Sequence, residues 1–195
     1  MFLLSIITIL TTILSIVSVF PQFIKSYKEN NYKVFSFSYI FQTQMMFFLW
    51  LVYAYKTDLK LLFFQMIGLF VSYVIYMLLK LNSENIKNKF LYILISLSMF
   101  LTFLLDLKTI SIIAVLFSIS GALTLLYSTI KNNTYKYISL SFISILSLNT
   151  FLYSIYGFIT NDNTVMFNNI IAFVIFSSLM FLVIYNNNIK QKVLI

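Results

Sequence analysis

The sequence contains no cysteine, no histidine and only one proline, and few of its residues are charged. Without cysteine there are no disulfides, metal thiolates or thiol chemistry. Without histidine the chain lacks the commonest metal ligand and the usual proton shuttle. Paired carboxylates and glycine-rich loops are missing as well. We therefore expect no enzyme, no cofactor and no bound metal.

Apolar residues are abundant instead, at 61% of the chain against 9% charged residues. This balance lies far outside that of soluble domains. The apolar residues form seven continuous runs, at residues 2–20, 36–55, 61–79, 90–105, 109–130, 137–159 and 164–185. Most runs are long enough to cross a bilayer as a helix, and the first lacks the features of a signal peptide. The sequence predicts an all-α integral membrane protein with seven transmembrane helices.

The net charge of +8 comes from thirteen lysines that lie between the apolar runs. With seven spans, ten lysines would lie on one side of the membrane: Lys25, Lys28, Lys33, Lys80, Lys87, Lys89, Lys131, Lys136, Lys190 and Lys192. Only Lys56, Lys60 and Lys108 would lie on the other. The positive-inside rule then predicts an outside N-terminus and a cytoplasmic C-terminus. The plasma membrane is the expected location. The basic charge indicates topology, and we expect a bilayer rather than a nucleic acid as partner.

The chain also contains an internal repeat with a shift of 103 residues. "YKENNYKVFSFSYI" at 27–40 aligns with "IKNNTYKYISLSFI" at 130–143, and twelve of the 39 positions from Ser15 to Tyr53 are identical. The repeat predicts two parallel three-helix units joined by an extra helix. The expected parts are a first repeat at 1–82, a linker helix at 83–107, a second repeat at 108–188 and a cytoplasmic tail at 189–195.

This order of an apolar segment, Pro-Gln, a short basic loop, Ser-x-Ser and "FLWLVY" resembles the PQ-loop repeat, and two such repeats resemble the SWEET sugar transporters. The resemblance covers residues 5–186. It implies four substrate-binding positions, Trp50, Gln65, Tyr153 and Asn169. The aromatic pair would clamp a sugar ring and the amides would bind its hydroxyls.

The chain departs from the family pattern at several positions. Gln65 replaces the usual Asn, and Ala172 replaces a Gly. Of four expected hinge prolines only one, Pro21, is present; the other three positions hold Ser38, Thr124 and Ser141. The three missing prolines bear on the hinge mechanism and the transport rate more than on the fold.

Pro21 and Gln22 form the predicted hinge. Proline removes a backbone N–H and weakens the helix where it could bend, and Gln22 could bond the freed backbone. The alternative is that Pro21 simply ends the first helix. Ser36 and Ser139 are predicted to cap the second helix of each repeat.

The resulting prediction is a uniporter for a small neutral sugar, with a monosaccharide favoured because Trp50 and Tyr153 are bulky. Three simpler interpretations stay open. Trp50 could serve only in packing, and Gln65 and Asn169 could form hydrogen bonds between helices. Asn168 could be the inward-facing amide in place of Asn169. Two other functions also stay open: a PQ-loop transporter of another solute such as an amino acid, and a non-transporting receptor or scaffold. Homo-oligomerisation is left undecided.

Overall fold

The computed structural model describes residues 2–83 and 99–193, and this part of the chain is all-helical with no strand. Its six α-helices are α1 (Phe2–Lys28), α2 (Phe37–Lys56), α3 (Lys60–Ser83), α4 (Leu107–Asn132), α5 (Leu140–Ile159) and α6 (Asn163–Val193). Two 3₁₀ helices, Met99–Leu104 and Tyr135–Tyr137, precede α4 and α5. The all-α prediction is confirmed.

Five of these helices, α1, α3, α4, α5 and α6, are long and apolar enough to span a membrane. Large apolar side chains point away from the bundle, as shown by Phe64 at 69% exposure and Phe181 at 66%. Such surface is stable against lipid rather than water. The chain is therefore an integral membrane protein.

The predicted spans at 36–55 and 90–105 are not confirmed as membrane-crossing helices. Helix α2 covers the first, but it contains the polar residues Gln42, Thr43 and Gln44 and is not among the five helices that are apolar enough to span a membrane. Most of the second lies outside the described residues, and its described end is the 3₁₀ helix Met99–Leu104.

The helix ends follow from local hydrogen bonding. The Ser36 hydroxyl accepts from the Tyr39 N–H at the start of α2, and the Ser139 hydroxyl accepts from the Phe142 N–H at the start of α5. Both predicted serine caps are thus confirmed. Helix α1, in contrast, does not end at its proline: it continues from Pro21 to Lys28.

The six helices pack as a closed ring. Helix α1 contacts α3 and α5, α2 contacts α3 and α4, and α6 contacts α4 and α5. Around the ring the order is therefore α1, α3, α2, α4, α6, α5. A shift of 103 residues pairs α1 with α4, α2 with α5 and α3 with α6. When each helix is replaced by its counterpart, the same pairs of helices are in contact.

The ring has two chemically different ends. At one, the lysine-rich end, α1 finishes beside the α4–α5 connection, where Lys25 donates to the carbonyls of Lys136 and Ile138. At the other, the aspartate end, Lys56 donates to the Leu105 carbonyl next to Asp106, and the α2–α3 and α5–α6 turns contain Asp58 and Asp162. Helices α1, α3, α4 and α6 run from the aspartate end to the lysine-rich end, and α2 and α5 run back.

Candidate functional site

A cavity of about 580 Å³ lies inside the ring and receives side chains from all six helices. It reaches the surface at the aspartate end, where the exposed residues Asp58, Leu59 and Lys60 form part of its rim. Its floor contains Tyr39 and Tyr73, whose hydroxyls are 3.0 Å apart. The volume is in the range of about 300–1,000 Å³ that is typical of small-molecule sites.

An aromatic cluster closes the lysine-rich end below this floor. Phe35, fully buried, has ring centroids of Tyr39, Tyr76 and Phe142 within 5.4 Å. The Tyr76 hydroxyl is 3.1 Å from the Ser26 hydroxyl of α1. In this structure the cavity is therefore open at the aspartate end and sealed at the lysine-rich end.

The structure brings all four predicted substrate-binding residues to this one cavity. Trp50 is half-buried, with its ring edge-on to Tyr53 at 5.4 Å. Gln65 is 2% exposed, and its Oε1 accepts from the Tyr153 hydroxyl at 3.0 Å. Because α3 and α5 belong to different repeats, this bond joins the two halves of the chain across the cavity.

The Gln65 amide is only half satisfied. Its Oε1 accepts a second, longer bond from the Thr12 hydroxyl at 3.5 Å. Its Nε2 has no hydrogen-bond partner within the described part of the chain. A buried unpaired donor costs about 1–3 kcal/mol, so the cavity offers a donor that a bound acceptor would satisfy.

Asn169 and its neighbour Asn168 both line the cavity but differ in what they offer. The Asn169 amide donates to the Val165 carbonyl of its own helix at 2.8 Å. Asn168 is 6% exposed, and its Oδ1 is unpaired among the residues that the structure describes. Asn168 is also the residue that aligns with Gln65 when the sequence is shifted by 103 residues. The geometry therefore favours Asn168 as the second inward-facing amide.

One polar pair of the cavity escaped the sequence analysis. Asn149, on α5 and 7% exposed, donates through Nδ2 to the Ser15 hydroxyl of α1 at 2.8 Å. Its Oδ1 has no partner in the described ranges. The repeat gives no signal for this residue, because its counterpart is Met46. Only the packing of α1 against α5 brings the pair together.

The predicted hinge residues lie outside the cavity, toward the lysine-rich end. Gln22 is fully buried and does not bond the backbone that Pro21 frees in α1. Instead its Nε2 donates to the Tyr137 carbonyl at 3.1 Å, and its Oε1 accepts from the Ser139 N–H at 2.8 Å. Both partners belong to the other repeat. We call these two bonds the Gln22 clamp.

Two charged side chains, Lys80 and Asp106, lie outside the cavity near its two ends. Lys80, in the last turn of α3, is buried and donates to the Tyr32 carbonyl at 2.8 Å, with its ammonium 4.9 Å from the Phe37 ring centroid. At the aspartate end, the backbone N–H and hydroxyl of Thr109 bind Asp106 and hold the pKa of its carboxyl below the usual value. In the described chain, charged side chains line the cavity only at its rim.

A close helix approach fixes the second half of the site. A Cβ on Gly157 of α5 would lie 2.5 Å from the Met166 backbone nitrogen of α6. Only glycine leaves room for this contact. It sets the close approach of α5, which carries Tyr153, to α6, which carries Asn168 and Asn169.

A comparison with protein-family models found no match to this chain, and a search of curated proteins found none either.

Proposed function

We propose that this protein is a SWEET-like uniporter that moves a small neutral sugar, a monosaccharide in preference to larger sugars, across a membrane by facilitated diffusion. In this proposal the two PQ-loop-type repeats and a linker helix form a seven-helix, 3+1+3 arrangement. One cavity between the repeats then opens alternately to each side. No partner other than the sugar and the bilayer is needed.

The observation that carries the proposal is a closed ring of helices around a cavity that contains several polar side chains and, in the described part of the chain, opens at one end of the bundle. The contact pattern of α1, α2 and α3 repeats in α4, α5 and α6, as alternating access between two repeats requires. A cavity that opens to one end and is sealed at the other is the geometry of one state of such a cycle.

The lining supports a neutral solute. Gln65 and Asn168, from opposite repeats, present a donor and an acceptor that have no partner among the described residues. The Trp50 ring offers an apolar face for the C–H groups of a sugar. A charged solute would instead favour a buried opposite charge, and such groups mark ion pathways in membranes. Without a charged group deep in the described cavity, passive diffusion needs no coupled ion.

The lysine distribution supports an orientation for this proposal. With the lysine-rich end in the cytoplasm, the cavity described above opens to the outside, and the aromatic cluster and the Gln22 clamp close the inner side. The plasma membrane is the expected location.

Glucose counterflow in proteoliposomes tests the proposal. We expect uptake by the wild type, and at least about a tenfold loss in Trp50→Ala and Asn168→Ala, the effect of losing one substrate contact of ~1.4 kcal/mol. Tyr55→Ala is the matched aromatic control, because Tyr55 is 66% exposed and lies outside the cavity. Asn187→Ala is the matched amide control on the exposed surface.

The outcomes separate the alternatives. Uptake that survives both cavity variants would keep the transporter and remove these residues from its site. No uptake of glucose or of a panel of other sugars by folded protein would contradict the sugar proposal. Uptake of an amino acid in the same assay would then favour a PQ-loop amino-acid transporter, and uptake of neither would favour a receptor or scaffold.

A further inference from the structure

A second, shallower groove lies on the outer surface of the second repeat, between α5 and α6. It encloses about 290 Å³ and is lined by Ser144, Ser147, Leu148, Phe151, Phe173 and Met180. None of these six residues lines the central cavity. Phe151 is 45% exposed and Leu148 is 49% exposed. The α5–α6 groove therefore faces away from the interior of the helix ring, where a bilayer or another protein would lie.

The corresponding place in the first repeat is covered by the chain itself. Under the shift of 103 residues, Phe48 and Phe70 align with Phe151 and Phe173. The two aromatic pairs have almost the same geometry, with ring centroids 5.6 Å apart in the first repeat and 5.4 Å apart in the second. Phe48, however, is only 6% exposed, and Phe103 of the 3₁₀ helix before α4 lies edge-on to it at 6.0 Å. An aromatic side chain from a further segment thus packs on the pair that the second repeat leaves open.

The floor of the α5–α6 groove is also built from smaller residues than its counterpart. Ser144 and Ser147 align with Phe41 and Gln44 of the first repeat. The Ser147 hydroxyl is 2.7 Å from the Ser177 hydroxyl, so it is already hydrogen-bonded within the groove. Small residues are enriched where transmembrane helices pack closely, because they allow the helices to approach each other. The groove is therefore shaped to receive another helix.

We infer that the α5–α6 groove is a dimerisation surface on which a second copy of this chain packs with its own α5–α6 groove. The same face carries both the groove and the exposed Phe151 ring, so each copy can offer a ring to the groove of the other. A self-complementary face of this kind generates a closed dimer with twofold symmetry. Because both copies follow the same charge rule for orientation, the twofold axis lies along the membrane normal. The inference does not depend on what the central cavity carries.

Counting fluorophores on single particles in liposomes tests this inference without any sugar. A dye on Asn132→Cys, at the exposed end of α4, labels each copy once because the chain has no cysteine of its own. We expect two bleaching steps per particle, and single steps as the protein is diluted with lipid. Phe151→Ala should raise the dissociation constant at least about tenfold, since an aromatic anchor dominates such an interface.

The matched control is Phe64→Ala. Phe64 is 69% exposed on α3, which lies across the helix ring from α6. The same substitution there should leave the dissociation constant unchanged. Both phenylalanines lie outside the central cavity and are exposed, so neither variant should impair folding.

Cross-linking locates the surface independently. Leu148→Cys places a thiol in the groove, and Ile75→Cys places one on α3 with nearly the same exposure, 48%. With a short bis-maleimide in dilute liposomes, we expect covalent dimers from Leu148→Cys and none from Ile75→Cys.

Single bleaching steps at every protein-to-lipid ratio would overturn the inference and assign the groove to lipid chains. Three or more steps per particle would overturn the twofold arrangement. Equal dissociation constants for Phe151→Ala and Phe64→Ala, or equal cross-linking of the two cysteine variants, would place any dimer contact elsewhere and overturn the inference as well. None of these results bears on the sugar uniporter, which the counterflow assay tests separately.

Discussion

Replacing Gln22 with Leu should weaken the seal at the lysine-rich end. The substitution removes the Gln22 clamp, which consists of the bonds to the Tyr137 carbonyl and to the Ser139 N–H. Leucine is the residue that the second repeat has at the corresponding position, Leu125, which is fully buried. Side-chain size is therefore nearly retained, and the change acts mainly on hydrogen bonds between the repeats.

The magnitude follows from those two bonds. Each buried hydrogen bond contributes about 0.5–1.5 kcal/mol, so the sealed state loses ~1–3 kcal/mol relative to a state in which the repeats separate at this end. This difference shifts the equilibrium between the sealed state and the state open at the lysine-rich end by about 5- to 150-fold toward the open state. The Ser26 contact lies within α1 and does not contribute to the shift.

Cysteine accessibility measures this shift directly, because the chain has no cysteine of its own. A single Thr43→Cys reports from inside the cavity, where Thr43 is 6% exposed. A membrane-impermeant maleimide is applied from the lysine-rich side of oriented vesicles. We expect labelling to be at least about fivefold faster with Gln22→Leu than with Gln22 intact.

The matched control is Gln44→Leu. Gln44 is also buried in its helix, but neither atom of its amide has a hydrogen-bond partner in the described structure. The same substitution there removes no clamp and should leave labelling unchanged, with stability equal or higher. Unchanged labelling in Gln22→Leu would refute the role of the clamp.

Three further predictions concern packing, the hinge and the site. Gly157→Ala should lower stability by about 1–3 kcal/mol, because its Cβ would lie 2.5 Å from backbone, whereas Gly68→Ala, with nothing within 4 Å, should be neutral or stabilising in thermal unfolding. Pro21→Ala should slow transport with nearly unchanged substrate affinity, and an unchanged rate would exclude the hinge. Tyr153→Phe removes the bond to Gln65 and should raise the half-saturation concentration by about tenfold; an unaltered value would place that bond outside substrate recognition.

The sequence alone predicts the helices well because each has a strong local signal. Long apolar runs locate the six described helices, five of which could span a membrane, and Ser36 and Ser139 mark helix starts through their own hydroxyls. The course of α1 past Pro21 could not be predicted this way. The proline removes only one donor, and the packing of α1 against α3 and α5 outweighs that loss.

The site could be predicted only where the repeat or the family resemblance marked it. Trp50, Gln65, Tyr153 and Asn169 all reach the cavity. Asn149 was missed because polar residues in membrane helices commonly serve helix contacts, and nothing local distinguishes the two roles. Its pairing with Ser15 depends on how α5 sits against α1, which is a property of the ring and not of either segment.

The most direct test of the central claim measures glucose flux before and after the cavity is blocked by chemical labelling. Ser118→Cys places a thiol on the cavity wall, and Ser178→Cys places one on the exposed face of α6. Both variants should carry glucose into liposomes before modification. A bulky maleimide should then abolish flux in Ser118→Cys and leave Ser178→Cys unaffected. Flux that persists in fully labelled Ser118→Cys would contradict transport through this cavity, and absence of glucose flux before labelling in both folded variants would contradict sugar transport itself.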